Sequence, residues 1–338
     1  MKEVYLYKKL SDKKVQCQNC AHYCTIFSDK RGICGVRENI DGTLYALNYG
    51  KVIACHIDPI EKKPFFHFLP GSYSLSIATV GCNFRCLNCQ NSDISQGFKS
   101  VKEIPGEDLP PEEIVETAIK NKLPSISYTY TEPAIFSEYA LETMRLAKKK
   151  GIKNTWVTNG FWSKELFDLV WPYVDAANID LKGFSEDFYK QVCGGKLKPV
   201  LENLQKCKEK KIWVEITTLA IPTLSDSEEM FRNIAKFIKE VLGSETPWHI
   251  SQFSGAISWK LKDIPETSVE TLQMAWQIGK DAGLKYVYTG NVGGLPSEDT
   301  FCPKCGAVCI DRTNYIIHRH DKNGKCPKCK SDLNLILK

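Results

Sequence analysis

Residues 80–91 of the chain are VGCNFRCLNCQN, in which Cys82, Cys86 and Cys89 have the spacing C-x-x-x-C-x-x-C. The loop follows directly on the apolar run SLSIATV (residues 74–80), which is typical of a buried strand. A closed structural metal site has four ligands, so three thiolates leave one coordination position open. The spacing also differs from the C-x-x-C-x-x-C run of ferredoxins. We therefore expect an iron–sulfur cluster with one iron open to a further ligand.

Short apolar runs alternate with amphipathic stretches from about residue 74 onward. Helical periodicity appears in stretches such as PPEEIVETAIKN and SVETLQMAWQIGKDAG. Ser225 and Glu228 have capping-box spacing at one helix start, and Gly283 is expected to end the last helix. Successive β-α units predict a parallel sheet, either curled as a full or partial barrel or laid open. The strand candidates are SLSIATV (74–80), SISYTY (125–130), NTWVTN (154–159), AANIDL (176–181), WVEITTLAI (213–221), WHISQF (248–253) and YVYTG (286–290).

Polar side chains fall at the carboxyl ends of these strands. Ligands of parallel sheets bind at that edge, so we expect these side chains and the cysteine loop to meet at one site. Taken singly, each also has a structural explanation, such as a helix cap or a histidine satisfied in the core. The residues are Thr131 and Glu132 after the second strand, Thr158 and Asn159 at the third, Asp180 and Lys182 at the fourth, and His249 in the sixth.

The composition indicates a globular chain, with 43% hydrophobic and 25% charged residues. The net charge of +5 gives no argument for a nucleic-acid partner. The N-terminal stretch MKEVYLYKKLSDKKVQC lacks the apolar segment of a secretion signal, and no later stretch reaches the ~18 apolar residues of a membrane span. We therefore expect a cytoplasmic protein. Disulfides do not persist in the cytoplasm, so the 15 cysteines favour metal sites.

A C-terminal group of cysteines forms two C-x-x-C knuckles, in FCPKCG and GKCPKCK. The spacing predicts a zinc-ribbon or rubredoxin-like site, and we expect structural zinc because a segment this short buries too little apolar surface alone. An alternative is that the ribbon binds RNA or a protein through Lys304, Arg312, Arg319 and Lys328. The ligands are Cys302, Cys305, Cys326 and Cys329.

An N-terminal group of cysteines also predicts a metal site, with Cys17, Cys20, Cys24 and Cys34 as ligands. The sequence leaves zinc and a second iron–sulfur cluster open, and we favour zinc. His22 lies within this group and is expected to be a bystander. The remaining cysteines are expected to be small buried hydrophobic residues, and they are Cys55, Cys193, Cys207 and Cys309.

Three domains follow from these patterns. Residues 1–73 form a cysteine-rich metal-binding extension, which ends in the stretch HIDPIEKKPFFHFLPG, expected to be an extended connection. Residues 74–294 form the β-α core, and residues 295–338 form the C-terminal zinc-ribbon or rubredoxin-like domain.

The cysteine loop resembles that of the radical S-adenosylmethionine (SAM) superfamily. Within it, the chain is similar to the pyruvate formate-lyase activating enzymes and to their homologues of the AmmeMemoRadiSam group. The similarity covers nearly the whole chain and implies an α/β fold, a partial (β/α)6 barrel of the TIM type. It is carried by CQNCAHYC, GICGVREN, DPIEKKPFFHFLPG, GCNFRCLNCQN, YTYTEPAIF, VTNG, IDLKG and YVYTGNV.

The resemblance implies that Cys82, Cys86 and Cys89 hold a 4Fe–4S cluster whose open iron binds the methionine part of SAM. Thr131 and Glu132 stand where the family's Gly-Gly-Glu motif binds the SAM amino group. The two glycines of that motif are replaced here by Tyr130 and Thr131.

The other strand-end residues are also implied to contact SAM. Asp180 and Lys182 match the D-x-K of the activating enzymes, in which the lysine faces the SAM carboxylate. Thr158 and Asn159 are implied to meet SAM, and His249 is implied to lie near its ribose and adenine. Asn88 departs from the family, which usually has an aromatic residue before the last cysteine.

The implied reaction is reductive cleavage of SAM to methionine and a 5′-deoxyadenosyl radical, which takes a hydrogen atom from a substrate. A low-potential ferredoxin or flavodoxin is the implied electron donor. The substrate stays open between a small molecule or RNA, with AmmeMemoRadiSam partner proteins, and the backbone glycine of a glycyl radical enzyme. A third class, a non-catalytic metal-binding module for nucleic acid or protein, would make the strand-end residues a coincidence.

Overall fold

The computed structural model describes residues 1–100, 103–292, 296–313 and 315–338. Its N-terminal part holds two small antiparallel sheets, which are not among the predicted strands. One has the strand order β1-β7-β6-β5 and the other the order β2-β3-β4. The strands are β1 (Lys2–Glu3), β2 (Tyr7–Lys9), β3 (Val15–Cys17), β4 (Thr25–Ile26), β5 (Lys30–Arg31), β6 (Arg37–Ile40) and β7 (Thr43–Ala46).

The central sheet of the described residues has nine strands in the order β10-β8-β9-β11-β12-β13-β14-β15-β16. β9 and β11 to β16 run parallel to one another, whereas β8 pairs antiparallel with both β9 and β10. β10 and β16 are the two edges, so the barrel is partial and the fold prediction is confirmed. The strands are β8 (Lys51–Pro59), β9 (Tyr73–Thr79), β10 (Glu107–Asp108), β11 (Ser125–Tyr128), β12 (Lys153–Thr158), β13 (Ala176–Asp180), β14 (Trp213–Ala220), β15 (Trp248–Gln252) and β16 (Val287–Gly290).

Helices connect successive parallel strands. Their buried faces alternate with charged ones, as in α2, which buries Ile114, Val115 and Ala118. The α-helices are α1 (Ser92–Ser95), α2 (Pro111–Lys120), α3 (Ser137–Lys149), α4 (Lys164–Val170), α5 (Glu186–Phe188), α6 (Leu197–Glu209), α7 (Glu228–Phe237) and α8 (Val269–Asp281). Two π-helical turns, Tyr189–Cys193 and Ile238–Leu242, extend α5 and α7, and 3₁₀ turns cover Ile60–Lys62, Gly97–Ser100, Pro133–Phe136, Trp171–Tyr173, Gly255–Ile257 and Pro296–Glu298.

The C-terminal segment is a three-stranded antiparallel sheet of β17 (Thr300–Phe301), β18 (Val308–Thr313) and β19 (Ile316–Arg319). β18 and β19 lie between the two cysteine knuckles. The predicted domain boundary between residues 294 and 295 lies outside the described residues.

Two local expectations are corrected. The N-cap of α7 is Ser227, whose hydroxyl accepts from the Met230 amide, and not Ser225, whose hydroxyl accepts from the Ile221 amide in the preceding turn. The stretch HIDPIEKKPFFHFLPG is not wholly a connection, because its first four residues end β8, which pairs with β9 of the central sheet. Among the described residues, helices are too short or too polar to cross a membrane.

Candidate active site

The three-cysteine loop leaves β9 and is anchored on both sides by backbone hydrogen bonds. The Arg85 amide donates to the Cys193 carbonyl at 2.9 Å, and the Leu87 amide donates to the Val192 carbonyl at 2.9 Å. The Lys260 amide donates to the Leu87 carbonyl at 2.8 Å. The loop is therefore fixed from two distant parts of the chain.

The three cysteines line one side of a cleft. Cys86 is buried, whereas Cys82 and Cys89 are half-buried. All three are described, and their sulfurs do not form a group within 4.8 Å of one another, as ligands of one metal ion would. The Phe84 amide donates to Cys82 Sγ at 3.4 Å, and the Ser95 hydroxyl lies within hydrogen-bond distance of Cys89 Sγ, at 3.4 Å.

Cys193 is fully buried, as expected for a small core residue, and its backbone carbonyl oxygen lies 4.0 Å from the Cys86 sulfur. The neighbouring Cys193 side chain lowers the pKa of Cys86, against the opposing effect of burial. The π-helical turn Tyr189–Cys193 brings it there. Sequence distance concealed this neighbour of the cysteine loop.

Glu132 ties two strand ends together. Its carboxylate accepts from the Thr158 hydroxyl and the Asn159 amide, both at 2.8 Å, and from the Ala134 amide at 3.1 Å. Burial raises the pKa of Glu132 to about 7, against the opposing effect of these donors. Asn159 continues the network, because its side-chain amide donates to Asn83 Oδ1 at 2.7 Å, inside the cysteine loop.

Tyr130, which stands where the resemblance implies glycine, adopts the left-handed conformation with φ of +64°. A residue with a Cβ is strained there, whereas glycine is not. The Asn91 side chain holds the Tyr130 carbonyl at 2.8 Å, and the Tyr130 hydroxyl donates to Asp58. Thr131 is fixed next to it, since its hydroxyl donates to the Thr79 carbonyl at 2.8 Å. The backbone at Tyr130 thus has a conformation that glycine adopts more readily than tyrosine.

Asp180 and Lys182 form an ion pair at the end of β13, with Nζ and Oδ2 2.7 Å apart. Burial alone lowers the pKa of Lys182, but Asp180 and Cys86 outweigh burial and raise it well above its ordinary value. Lys182 is therefore a fixed positive charge near Cys86.

His249 lies on β15 and faces Glu215 on β14, at 2.7 Å between Nε2 and Oε2. Both side chains are buried. The His249 ring stacks on Tyr288, and Phe66 meets its edge. Glu215 was missed by the sequence analysis, although a carboxylate within the apolar run WVEITTLAI was a detectable signal.

One cleft of about 1150 Å³ joins these parts. It is lined by every residue that the sequence analysis placed at the SAM site, and by Asn88. Small-molecule sites usually measure roughly 300–1,000 Å³, so this cleft is larger than one ligand of ordinary size needs. Its outer wall comes from the C-terminal segment, with Asp311, Arg312 and Tyr315, and from residues 61–64.

The C-terminal cysteines lie together, with all four sulfurs within 4.8 Å of one another. Cys302 Sγ lies 3.5 Å from Cys329 Sγ, and Cys305 Sγ lies 3.6 Å from Cys326 Sγ. Tetrahedral zinc with bonds of about 2.3 Å needs sulfurs about 3.8 Å apart. The donor set therefore fits one tetrahedral metal ion.

One of the four basic residues assigned to the alternative binding role of this segment is buried. Arg312 is buried, and its guanidinium donates to Phe66 O, Thr300 Oγ1 and Glu298 O. Arg319 pairs with Asp321 at 2.8 Å. Lys304 and Lys328 are exposed. Arg312 is therefore not available at the surface, whereas binding of RNA or a protein through Lys304, Arg319 and Lys328 stays a prediction.

The N-terminal cysteines also face one another, around a small cavity lined by Cys17, Cys20, Cys24 and Cys34. All four are described, and no three of their sulfurs lie within 4.8 Å of one another. His22 lines the same cavity. Its Nε2 is engaged in a hydrogen bond with the Asn83 carbonyl oxygen at 2.9 Å.

Comparison with known proteins agrees with this architecture. The Radical SAM superfamily profile matches residues 76–238, which contain the cysteine loop and most of the parallel strands. The chain is 46% identical over 340 residues to "Uncharacterized protein MJ0808" of Methanocaldococcus jannaschii, with all of both chains covered.

Two further proteins are informative. The chain is 25% identical over 201 residues to the pyruvate formate-lyase-activating enzyme of Clostridium pasteurianum, covering 54% of this chain and 80% of that enzyme. The crystal structure of Streptococcus suis SuiB bound to precursor peptide SuiA has the same core fold, with a TM-score of 0.51 and 14% identity, over 69% of this chain and 52% of that one. The chain therefore belongs to the radical SAM superfamily, in the branch similar to the pyruvate formate-lyase activating enzymes.

Proposed function

We propose that Cys82, Cys86 and Cys89 hold a 4Fe–4S cluster and that SAM binds against it in the cleft. One observation carries this proposal, namely that the three cysteines and the polar strand-end residues line the same cleft. The donor set fits the cluster, because only thiols are offered and they are spaced more widely than around one metal ion.

When bound and reduced, the cluster supplies one electron that cleaves SAM to methionine and a 5′-deoxyadenosyl radical, which takes a hydrogen atom from the substrate. The protein contributes binding and orientation. Lys182 offers a fixed positive charge for the SAM carboxylate, next to Cys86. Glu132 holds Thr158 and Asn159 in place by hydrogen bonds, at the strand end that meets SAM in this proposal. We assign the Glu132 carboxylate to binding of the SAM amino group.

The electron donor in this proposal is a low-potential ferredoxin or flavodoxin. The C-terminal cysteines hold zinc, since four thiolates within tetrahedral distance leave no open position. Their role is structural, because the zinc-bearing segment forms a wall of the cleft.

For the substrate we favour a small molecule. The cleft of about 1150 Å³ has room beyond SAM and is walled by the C-terminal segment near Arg312 and Tyr315. RNA receives less support, because Arg312 is buried within the protein. AmmeMemoRadiSam proteins are the proposed partners for this class of reaction.

A second candidate is the activation of a glycyl radical enzyme. It is favoured by the match to the pyruvate formate-lyase-activating enzyme over 54% of the chain. The two candidates differ in the product, since activation leaves a persistent glycyl radical on a partner protein. Electron paramagnetic resonance after incubation with candidate proteins separates them.

The shared chemistry is tested by anaerobic reconstitution, reduction and addition of SAM. We expect methionine and 5′-deoxyadenosine from the wild type, none from Cys86→Ala, and wild-type amounts from Cys55→Ala, which lies outside the cleft. A fully loaded and reduced wild type that forms no 5′-deoxyadenosine would contradict catalysis and favour a non-catalytic metal-binding module.

A further inference from the structure

The N-terminal cavity is a built site and not a loose group of thiols. Cys17, Cys20 and Cys34 are buried and Cys24 is half-buried, and all four line the same cavity. Cys17 ends β3, and Cys20 bridges to Trp162 of the barrel. The barrel therefore helps to fix the positions of the sulfurs.

Arg37 provides an independent indication of a ligand. Its side chain is 1% exposed and lines the cavity, and its Nε has no hydrogen-bond partner in the described structure. The two terminal nitrogens bind the Glu138 carboxylate, at 3.1 and 2.8 Å. A buried donor without a partner is costly, so an acceptor belonging to a bound group is expected beside it. A thiolate-ligated, anionic metal group meets that need.

The spacing of the sulfurs decides which metal group fits. The four C-terminal sulfurs lie within 4.8 Å of one another, a spacing that fits one tetrahedral ion. No three of the fully described N-terminal sulfurs meet the same limit, and the Cys82 loop shares this wider spacing. In an iron–sulfur cluster the thiolates bind different irons and so stand farther apart than around one ion.

The cavity lies directly behind the central cysteine loop. A Cβ on Gly81, the residue before Cys82, would lie 3.1 Å from the Cys34 carbonyl oxygen and 2.9 Å from Val36 Cγ1. Gly81 also has a φ of +111°, which favours glycine. His22 Nε2 bonds to the Asn83 carbonyl, on the other side of Cys82. The two cysteine sites therefore share a wall.

We propose that Cys17, Cys20, Cys24 and Cys34 bind an iron–sulfur cluster that delivers electrons to the central site. One electron from a reduced ferredoxin-type protein enters this cluster and then passes to the central site, and no bond forms or breaks at the N-terminal site. The choice of iron–sulfur over zinc stands on the N-terminal geometry alone, whereas the relay rests on the proposed function.

Metal analysis of the full chain tests the identity of the group. In Cys17→Ser/Cys20→Ser we expect iron and acid-labile sulfide to fall together, by about one third to one half, while zinc stays unchanged, because one of the two cluster sites is lost. Cys55→Ser is the matched control, since Cys55 belongs to none of the three cysteine groups, and it should keep all three contents. Loss of zinc with unchanged iron would overturn the proposal, and so would no change in either metal.

Reduction kinetics test the relay separately. The central cluster signal in electron paramagnetic resonance is followed after mixing with reduced ferredoxin or with dithionite. In the double variant we expect loss of the fast phase with ferredoxin and retention of reduction by dithionite. Equal rates in variant and wild type would overturn the relay. If the proposed function failed, the protein would form no 5′-deoxyadenosine but its metal contents would be unaffected. That failure is therefore distinguishable from a failure of the iron–sulfur assignment, which appears in the metal contents.

Discussion

His249 Nε2 lies 2.7 Å from Glu215 Oε2, in the interior of the sheet between β15 and β14. The same carboxylate accepts from the backbone amides of Phe66, His67 and Phe68 and from Trp213 Nε1. The loop at residues 66–68 in turn receives Arg312 of the C-terminal segment through the Phe66 carbonyl. Glu215 thus joins the cleft, the loop and the segment that walls the cleft.

Replacing Glu215 with glutamine should lower the free energy of unfolding by about 3 kcal/mol. The side-chain nitrogen of glutamine cannot accept a hydrogen bond, so one of the buried donors that face Glu215 is left without a partner. Chemical denaturation measures the loss. Glu229→Gln is the matched control, since Glu229 is exposed and should change stability little. A Glu215→Gln protein as stable as Glu229→Gln would contradict the assigned hydrogen bonds.

The stability that Glu215 contributes should also depend on pH. Burial alone raises the pKa of Glu215, but the His249 hydrogen bond and the Phe66 amide outweigh burial and lower it to about 2 from 4.5. A depressed folded-state pKa gives stability that is present above pH 4.5 and lost as the pH falls toward 2. The stability difference between wild type and Glu215→Gln should therefore shrink over that interval. A constant difference would contradict the assignment.

Glu132 should make stability change with pH in the opposite direction to Glu215. Burial raises its pKa from 4.5 to about 7, so the folded state keeps a proton that the unfolded state releases. The wild type should lose stability relative to Glu132→Gln by about 3 kcal/mol as the pH rises from 4.5 to 7, and not beyond. Thermal unfolding of both proteins across this range checks it. A difference that is flat or rises with pH would refute the raised pKa.

At position 130, we expect the usual stability order of alanine and glycine variants to be reversed. Tyr130→Gly and Tyr130→Ala both lose the ring and its bond to Asp58, but only alanine retains the cost of a Cβ at a φ of +64°. The glycine variant should be more stable than the alanine variant by about 1 kcal/mol. Denaturation of the pair measures this. Equal stability, or the usual preference for alanine, would contradict the left-handed conformation.

Metal removal tests the C-terminal site. Cys329→Ser should lose about one zinc per chain, since four ligands define one ion. Cys309→Ser should keep that zinc, although Cys309 is buried in the same cluster of side chains. Metal analysis with limited proteolysis measures both, and cleavage should rise only in the C-terminal segment of Cys329→Ser. Zinc loss in Cys309→Ser would mean a different ligand set.

Much of the central sheet was predictable from sequence. The parallel strands are buried on both faces and therefore appear as short apolar runs, which matched β9 and β11 to β16 within two residues at each end. β8 was missed because its pattern is mixed, with exposed His56 and Ile57 beside buried Asp58. The N-terminal strands are only two to four residues long and have no detectable periodicity.

The site was predictable only in part. The strand-end residues could be placed because topology brings strand ends together. The contact of Cys193 with Cys86 depends on a π-helical turn, and the N-cap Ser227 competes with an equally suitable Ser225 nearby. The choice between zinc and a cluster at Cys17 depends on sulfur spacing, which sequence spacing does not determine.

The most direct test of the central claim is a single turnover. The protein is reduced, freed of excess reductant and mixed with SAM under anaerobic conditions, and the cluster spins and 5′-deoxyadenosine are counted in the same sample. We expect the spins lost on addition of SAM to equal the 5′-deoxyadenosine formed, with neither change in Cys86→Ala. Spins that persist in the presence of SAM, without formation of 5′-deoxyadenosine, would contradict reductive cleavage of SAM in this cleft.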